Sequence, residues 1–405
     1  MRIVKKYGGS SVATIDKIKN IAQHLLERKN NVLKGEKCEI VVVLSAMGKT
    51  TNKLIELAKE ITPSPNPREL DALMATGELQ SIALLSIALE NLGLKSISLS
   101  GSQVAIKTTG THTKNKIETI DTKIIERYLN EDYIVVVAGF QGINIIGDTT
   151  TLGRGGSDTS AVALAATLNC DCEIYTDVKG IYSIDPRVYK DAKKIDKISY
   201  EEMMEMANLG AGVMEARAVE IGKKYGVKIY VGETLSLENG TYICDMNEII
   251  EKRVVSGISI NENVIMVSIE QFSNFPKNVS ILFSLLAKNG INVDMISQSD
   301  VSDIKGHIAF TCPGTDEIIL DKSLVELKKE FPDIIVGKRR DVGKISLVGI
   351  GMISNFGVAA KVFETLAETE ISFHQCTTSE ISISVIINKI NIIKFVEKLA
   401  KNFSL

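Results

Sequence analysis

The chain has no tryptophan, and only four histidines and seven prolines in 405 residues. The histidines, His24, His112, His307 and His374, fall in none of the glycine- and serine-rich motifs described below, so those motifs hold no Ser-His-Asp or Cys-His arrangement. The six cysteines are scattered among apolar segments, and the nearest two, Cys170 and Cys172, enclose one residue, which is neither a zinc nor a thioredoxin spacing. They read as buried free thiols in a reducing cytoplasm. Charge of one sign is also missing: the formal net charge is −3, which gives no electrostatic reason to expect nucleic acid or an anionic membrane as partner. No apolar run approaches the roughly 20 residues of a membrane span. The opening "MRIVKKYGGSS" is basic but no apolar h-region follows, so no signal peptide is expected. What is present, 44% apolar and 24% charged residues, is the composition of a globular protein, at a length that suggests two or three domains.

Residues 1 to 235 alternate β-branched runs with helical patterns. "RIVKKY", "CEIVVVLSAM", "SISLS", "YIVVVAGF", "EIYTDV" and "VKIYVG" read as strands, and the second is apolar enough to be buried on both faces. Helices are expected in "TIDKIKNIAQHLLERKNN" and over 69–92, 119–129, 157–169 and 201–225. "TPSPNPRE" (62–69) carries three of the prolines and is expected to be an exposed loop. The alternation predicts an α/β domain whose mostly parallel sheet is covered on both faces.

After residue 254 the character changes and an internal repeat appears. Residues 267–302 lay onto 347–382 at an offset of 80, with Phe283 on Phe363, Leu286 on Leu366, Ile291 on Ile371 and Ser299 on Ser379. Each copy reads strand, turn, helix, strand, strand. A twofold repeat of this length points to paired α+β modules rather than a solenoid. The copies resemble ACT domains, small βαββαβ modules that bind amino acids at their paired edges.

Five motifs carry chemistry, and each has a structural and a functional reading. "KKYGGSS" (5–11) follows the first strand: either a glycine turn, or Gly8, Gly9 and Ser10 laid against phosphate oxygens with Lys6 as a point charge. "LSAMGKTTN" (44–52) is not a P-loop, because Val43 stands where that pattern needs glycine, but Ser45 and Thr51 lie where an α/β sheet binds ligands. In "MATGELQS" (74–81), Glu78 is either a solvated helix residue or a buried acceptor. "TTLGRGGSDTSAVALAA" (150–166) is either a helix start or a binding site, in which Arg154 and Asp158 grip a group carrying both charges and glycines let it approach the backbone. "EIYTDVKGIYSIDPRV" (173–188) is either a surface loop or a strand end, with Tyr182 flanking a purine and Arg187 reaching phosphates.

In this order and spacing, together with "ISYEEMMEMANLGA" (198–211) and the tandem modules, these motifs resemble the aspartokinases of the amino acid kinase superfamily. The resemblance covers nearly the whole chain. It implies an amino-acid-kinase-type three-layer αβα sandwich over residues 1–250, followed by ACT-like modules over 251–340 and 341–405 with strands exchanged between them. "VVSGISI" (254–260) is a candidate for such an exchanged strand. The implied reaction is transfer of phosphate from ATP, with Mg²⁺, to the β-carboxylate of L-aspartate. Such a carboxylate has a pKa of about 4 and is already ionised, so no general base is needed.

By the resemblance, Lys6 meets the transferring phosphoryl group and Asp158 orients Lys6 or the substrate amine. Arg154 holds a substrate carboxylate and Glu78 accepts from the substrate ammonium, while Ser45, Thr51, Gly155, Gly156 and Ser157 complete that pocket. Tyr7, Gly8, Gly9, Ser10, Thr176, Asp177, Tyr182, Arg187 and Gly212 line the nucleotide site. No protein metal site is expected. Two departures stand out. The family reads "GAKVLHPRAV" where this chain has "GAGVMEARAV" (210–219), so Gly212 replaces a phosphate-facing lysine and Glu215 a histidine. Gly232, Glu233 and Thr234 replace an Arg-Ser-[ST] run. Either another cation or Mg²⁺ compensates, or nucleotide affinity is lower.

The resemblance further implies a cytoplasmic, monofunctional enzyme, a homodimer or dimer of dimers, inhibited through the modules by an end product: lysine, threonine or methionine. Ser273, Asp294, Ser299 and Asp300 are the candidate effector residues, and a spare carboxylate there favours lysine; the plain alternative is solvated loop residues. A competing reading of the whole chain is a catalytically weak amino-acid sensor on a kinase scaffold. Another is a kinase acting on glutamate, acetylglutamate or a nucleotide.

Overall fold

A computed structural model describes residues 1–30, 37–236, 238–248, 253–272, 276–300 and 306–405. The chain divides into two compact units. The first comprises the described residues of 1–182, 194–208 and 212–251; the second comprises those of 183–193, 209–211 and 252–405.

In the first unit the chain runs β1 (Arg2–Tyr7), α1 (Ile15–Asn30), β2 (Glu39–Leu44), α2 (Thr50–Ile61), α3 (Pro67–Asn91) and β3 (Ser96–Leu99). It continues through β4 (Ile106–Thr109), β5 (Lys116–Ile120), α4 (Lys123–Asn130), β6 (Ile134–Ala138), β7 (Gln141–Ile143) and β8 (Thr149–Thr151). Then come α5 (Gly156–Leu168), β9 (Asp171–Thr176), β10 (Ile181–Tyr182), β11 (Lys194–Ile195), β12 (Lys197–Ser199), α6 (Tyr200–Asn208), α7 (Ala216–Tyr225), β13 (Ile229–Glu233) and β14 (Thr241–Cys244). The main sheet has the order β12-β14-β13-β9-β1-β2-β6-β3, and only the β13–β14 pair is antiparallel. Strands β2 and β6 are almost wholly apolar, as expected for a sheet covered on both sides. One face packs on α1 and α3 through Ile18, Ile21, Leu25, Ile82, Leu85 and Leu89, and α5 covers the other. A small sheet, β5-β4-β7-β8, stands apart.

Four expectations are corrected. The helix expected over 201–225 is two helices, interrupted at Gly210, whose φ of +122° an L side chain rarely adopts. The helix expected from 119 starts at Lys123, whose N–H is taken by the Asp121 carboxylate at 3.1 Å, while Lys116–Ile120 is a strand. The loop expected over 62–69 ends at Asn66, which caps α3 by accepting from the Arg68 N–H at 2.9 Å and precedes Pro67 at the first helical position. Contrary to the sequence expectation, one helix among the described residues, α3, is long and apolar enough to span a bilayer; half of that stretch is buried, and Asp71, Glu78 and Ser81 are among its buried residues.

The second unit opens with β15 (Gly257–Asn261), β16 (Val264–Phe272), α8 (Pro276–Lys288), β17 (Ile296–Asp300), β18 (Gly306–Pro313), α9 (Glu317–Glu330) and β19 (Ile335–Arg339). It closes with β20 (Val342–Val348), α10 (Val358–Thr369), β21 (Phe373–Thr378), β22 (Ser382–Asn388) and α11 (Ile392–Phe403). The two sheets run β17-β18-β16-β19 and β15-β20-β22-β21. Each has the βαββαβ arrangement, but the fourth strand of the second is β15, antiparallel to β20. The chain thus lays down the last strand of the second module before it enters the first. Odd-numbered residues of β16, Ile265, Val267 and Ile269, face the helices of their own module. Even-numbered Val264 and Met266 pack with Val342 and Ile386 of the second sheet, the period-2 division that a doubly covered strand requires.

Candidate active site

The glycine-rich loops lie at the carboxyl ends of β1, β2, β6 and β9, where an α/β sheet leaves its crevice. They interlock closely. The Gly8 N–H donates to Tyr175 O at 3.0 Å, and the Gly48 N–H to Gly9 O at 2.9 Å. A Cβ on Gly9 would lie 2.8 Å from Ala46 O, so only glycine lets the 8–11 and 45–48 loops approach this far. Gly139, at the end of β6, serves the same purpose for α5: a Cβ there would lie 2.9 Å from the Ser157 Cβ. Sequence reading passed over Gly139, although a glycine directly after a buried strand was the available signal.

The pleat of β1 sorts its side chains. Lys6 points to the α5 side, and its Nζ lies 2.6 Å from Asp158 Oδ1, a close ion pair without hydrogen-bond geometry, both side chains 10% exposed. The nearest side-chain atom to a Cβ on Gly8 would be the Lys6 Nζ, at 3.5 Å. Tyr7 points the other way. It is fully buried in the α1/α3 core and stacks on Tyr175 with centroids 5.1 Å apart. Its side chain therefore cannot line a nucleotide site as expected, and burial pushes its hydroxyl pKa well up.

Glu78 is the buried acceptor, not the solvated residue. It is 2% exposed. Its Oε1 accepts from the Ala46 N–H at 3.0 Å, while Oε2 is buried with no hydrogen-bond partner among the described residues. Burial raises its pKa to about 7, against the lowering effect of the Ala46 N–H. Gly77 permits this: a Cβ there would lie 2.8 Å from the Ala46 Cβ. Ser45 and Thr51 are half-buried on the same loop and on α2.

The α5 entrance is built from left-handed glycines. Gly153 has φ +81° and Gly155 φ +61°, and α5 begins at Gly156. Between them Arg154 is exposed and has no hydrogen bond or ion pair with described residues. Ser157 and Asp158 are buried in the first turn of α5. Glu215, where the resembled family has histidine, lies against this turn: a Cβ on Gly155 would sit 2.7 Å from its Oε2. Burial first, and the nearby Asp158 second, raise the Glu215 pKa. Gly212 is exposed with nothing within 4 Å of a Cβ.

At the end of β9, Thr176 donates to Asp177 Oδ1 at 3.0 Å and its carbonyl accepts from Thr234, whose hydroxyl lies 2.6 Å from Ser11 Oγ. Thr234 was seen in the sequence only as a departure. Ser10 and Tyr182 are half-buried and Asp177 is exposed. Arg187 falls in the second unit, where its guanidinium holds Asp185 at 2.6–3.1 Å.

Of the effector candidates, Ser273 lies outside the described residues, as does the side chain of Asp300 on β17, and Ser299 is exposed. Asp294 is not the spare carboxylate that was expected. It accepts from Lys344 on β20, which is 1% exposed; the partner lies 50 residues away and could not be read from local sequence. No group of three metal-ligating side chains occurs among the described residues.

Fold and site together define a class, the small-molecule kinases built on this sheet: the model of the amino acid kinase family matches residues 1–233, and that of an ACT domain residues 345–403. An aspartokinase of Geobacillus stearothermophilus is 43% identical over 404 residues, covering 100% of this chain and 97% of that one. The structure of E. coli aspartokinase III in complex with aspartate and ADP matches with a TM-score of 0.84 at 24% identity, covering 100% of both chains. The same enzyme in complex with lysine and aspartate matches at 0.76 and 24%, over 99% of both; at that identity the two structures speak for the fold. The full-length relationship at 43% identity places this chain in the aspartokinase family.

Proposed function

We propose that this chain phosphorylates the β-carboxylate of L-aspartate with ATP, giving 4-phospho-L-aspartate and ADP, the first step toward lysine, threonine and methionine. The observation that carries the reading is Glu78 Oε2, a buried acceptor without a donor among the described residues, together with Arg154, an exposed cation without a partner among them. A free α-amino acid supplies both missing complements, an ammonium for Glu78 and a carboxylate for the planar fork of Arg154.

Lys6 neutralises charge on the moving phosphoryl group, held in place by Asp158, and catalysis consists of positioning and electrostatic stabilisation. ATP lies along the 8–11 loop toward Thr176 and Tyr182. Mg²⁺, when bound, would neutralise phosphate charge, with Asp158 or Asp177 as a nearby carboxylate. The free cysteines suit a reducing cytoplasm. The test is ADP release with aspartate, glutamate, acetylglutamate and a nucleoside monophosphate. Turnover with aspartate alone is expected, and turnover confined to another acceptor would replace the reading.

The ACT modules give the chain an amino-acid effector, for which lysine remains the choice, bound between modules of two subunits. Since Lys344 already neutralises Asp294, the effector's second ammonium must compete for that carboxylate or use Asp300. Initial rates in millimolar lysine, threonine and methionine decide this, and full activity in lysine would remove it as inhibitor.

A further inference from the structure

Asp71 plays no part in the site described above, yet it is 0% exposed in the second turn of a long, largely apolar helix. A buried carboxylate is costly unless its oxygens are satisfied. Here all the donors come from two short segments of the small sheet. Oδ2 accepts from His112 Nδ1 at 2.7 Å and from the Thr113 N–H at 3.0 Å, and Oδ1 from the Thr113 N–H at 3.1 Å and the Thr151 hydroxyl at 2.5 Å. These two segments are also tied to each other: the Asn115 N–H donates to Thr151 O at 3.0 Å, and a Cβ on Gly153 would lie 3.2 Å from Thr113 O.

A second charge grips the same pair from α7. Arg217 Nη2 donates to Asn115 O at 2.6 Å and Nη1 to Leu152 O at 3.4 Å. Burial holds its pKa below the ordinary arginine value. Thr151, Leu152 and Gly153 are the residues that lead into Arg154. The exposed arginine therefore hangs from a strand end fixed on one side by a buried carboxylate and on the other by a half-buried guanidinium.

We infer that Asp71 and Arg217 are positioning residues that preset the backbone of Thr151–Gly155 so that Arg154 presents its guanidinium to the substrate carboxylate. The inference rests on the aspartate kinase reading for what Arg154 holds, but not for the clasp itself. A clasp matters because Arg154 has no side-chain partner among the described residues to orient it, so its aim depends on the backbone; a displacement of about 1 Å can cost up to about 100-fold.

The experiment uses the full chain with Asp71→Asn, Arg217→Gln, Arg154→Ala and the Asp71→Asn/Arg154→Ala pair. Asp71→Asn is nearly isosteric but replaces an acceptor with a donor that faces other donors. It is expected to raise KM for aspartate by about 10- to 100-fold with KM for ATP and kcat within about threefold. In the Arg154→Ala background it should add almost nothing, because the residue it aims is gone. A general packing role predicts the opposite, equal losses in both backgrounds and a parallel rise in KM for ATP, and that result overturns the inference. Should Asp71→Asn fold poorly, Thr151→Val removes one donor and is read the same way. Amide hydrogen exchange at residues 152–157 of the substrate-free protein separates the clasp from the kinase reading. Faster exchange there in Asp71→Asn, with β6 unchanged, supports the clasp even if aspartate proves not to be the substrate. Unchanged exchange sinks the clasp whatever the substrate is.

Discussion

Lys5 and Lys6 are neighbours on one strand, 1% and 8% exposed, and each meets a carboxylate, Glu173 and Asp158. The pleat sends them to opposite faces of the main sheet, where their surroundings differ. On the α1 face Lys5 is closed in: it pairs with Glu173, donates to Tyr175 Oη at 3.3 Å and lies 5.1 Å from that ring's centroid. Burial, only partly offset by Glu173, lowers its pKa. Two of its three N–H groups thus meet partners within the sheet. On the α5 face Lys6 has one carboxylate partner and a glycine loop beside it. The same pair of residue types is a structural ion pair on one face and, on the proposed reading, a phosphate-directed group on the other, and what separates them is how closely the surrounding groups enclose the ammonium.

The sharpest way to break this comparison is to remove each lysine in turn. Lys6→Ala should lower kcat by about 10²–10³, the range for deleting one preorganised charge-stabilising donor, and should also cost stability because it leaves the 10%-exposed Asp158 without its cation. Lys5→Met should leave kcat within about threefold and cost stability alone. The cost is about 1–3 kcal/mol rather than the larger figure for a fully buried pair, because the Glu173 side chain is 20% exposed. Equal losses of kcat in the two variants would erase the distinction between the faces. Steady-state kinetics and urea unfolding read both.

Next in size is Glu78. Glu78→Gln removes the acceptor for an ammonium and should raise KM for aspartate by about 10- to 150-fold, the equivalent of a hydrogen bond to a charged group. Its pH behaviour follows from the sign of the shift. The folded pKa of about 7 lies above the ordinary glutamate value of 4.5, so between those values the folded chain keeps a proton that the unfolded chain has lost. Stability of the free enzyme therefore falls as pH rises through that window. Glu78→Gln escapes the penalty and should be more stable than wild type at pH 8, by up to about 3 kcal/mol, with the difference fading toward pH 4.5. For the wild type, aspartate affinity should weaken as pH drops through 7 and the carboxylate is protonated. A pH-independent aspartate KM between 6 and 8 would contradict the assignment.

The smallest effect is expected at Gly212. The position is open, with nothing within 4 Å of a Cβ, so Gly212→Lys restores a cation without a clash and should lower KM for ATP severalfold. No change would mean that phosphate contacts have been rebuilt elsewhere.

The parallel sheet, the paired modules and the glycine loops were legible because each is a local pattern: continuous apolar runs, an 80-residue repeat, glycines after strands. The roles of Lys6, Glu78, Arg154 and Asp158 came from resemblance, since no local pattern shows that Lys6 meets a carboxylate 152 positions on. Tyr7 was misread although alternation on "RIVKKY" places it with Lys5, not Lys6. Asp71 and Arg217 stayed invisible because their partners are backbone groups and hydroxyls tens of residues away. The Lys344–Asp294 pair is hidden for the same reason.

The most direct measurement is aspartate-dependent ADP formation in the presence of hydroxylamine, which converts an acyl phosphate to a stable hydroxamate. The account predicts ADP and aspartyl hydroxamate in equal amounts, both lost together in Lys6→Ala. ADP release without hydroxamate, or hydroxamate formation that survives the loss of Lys6, would contradict it.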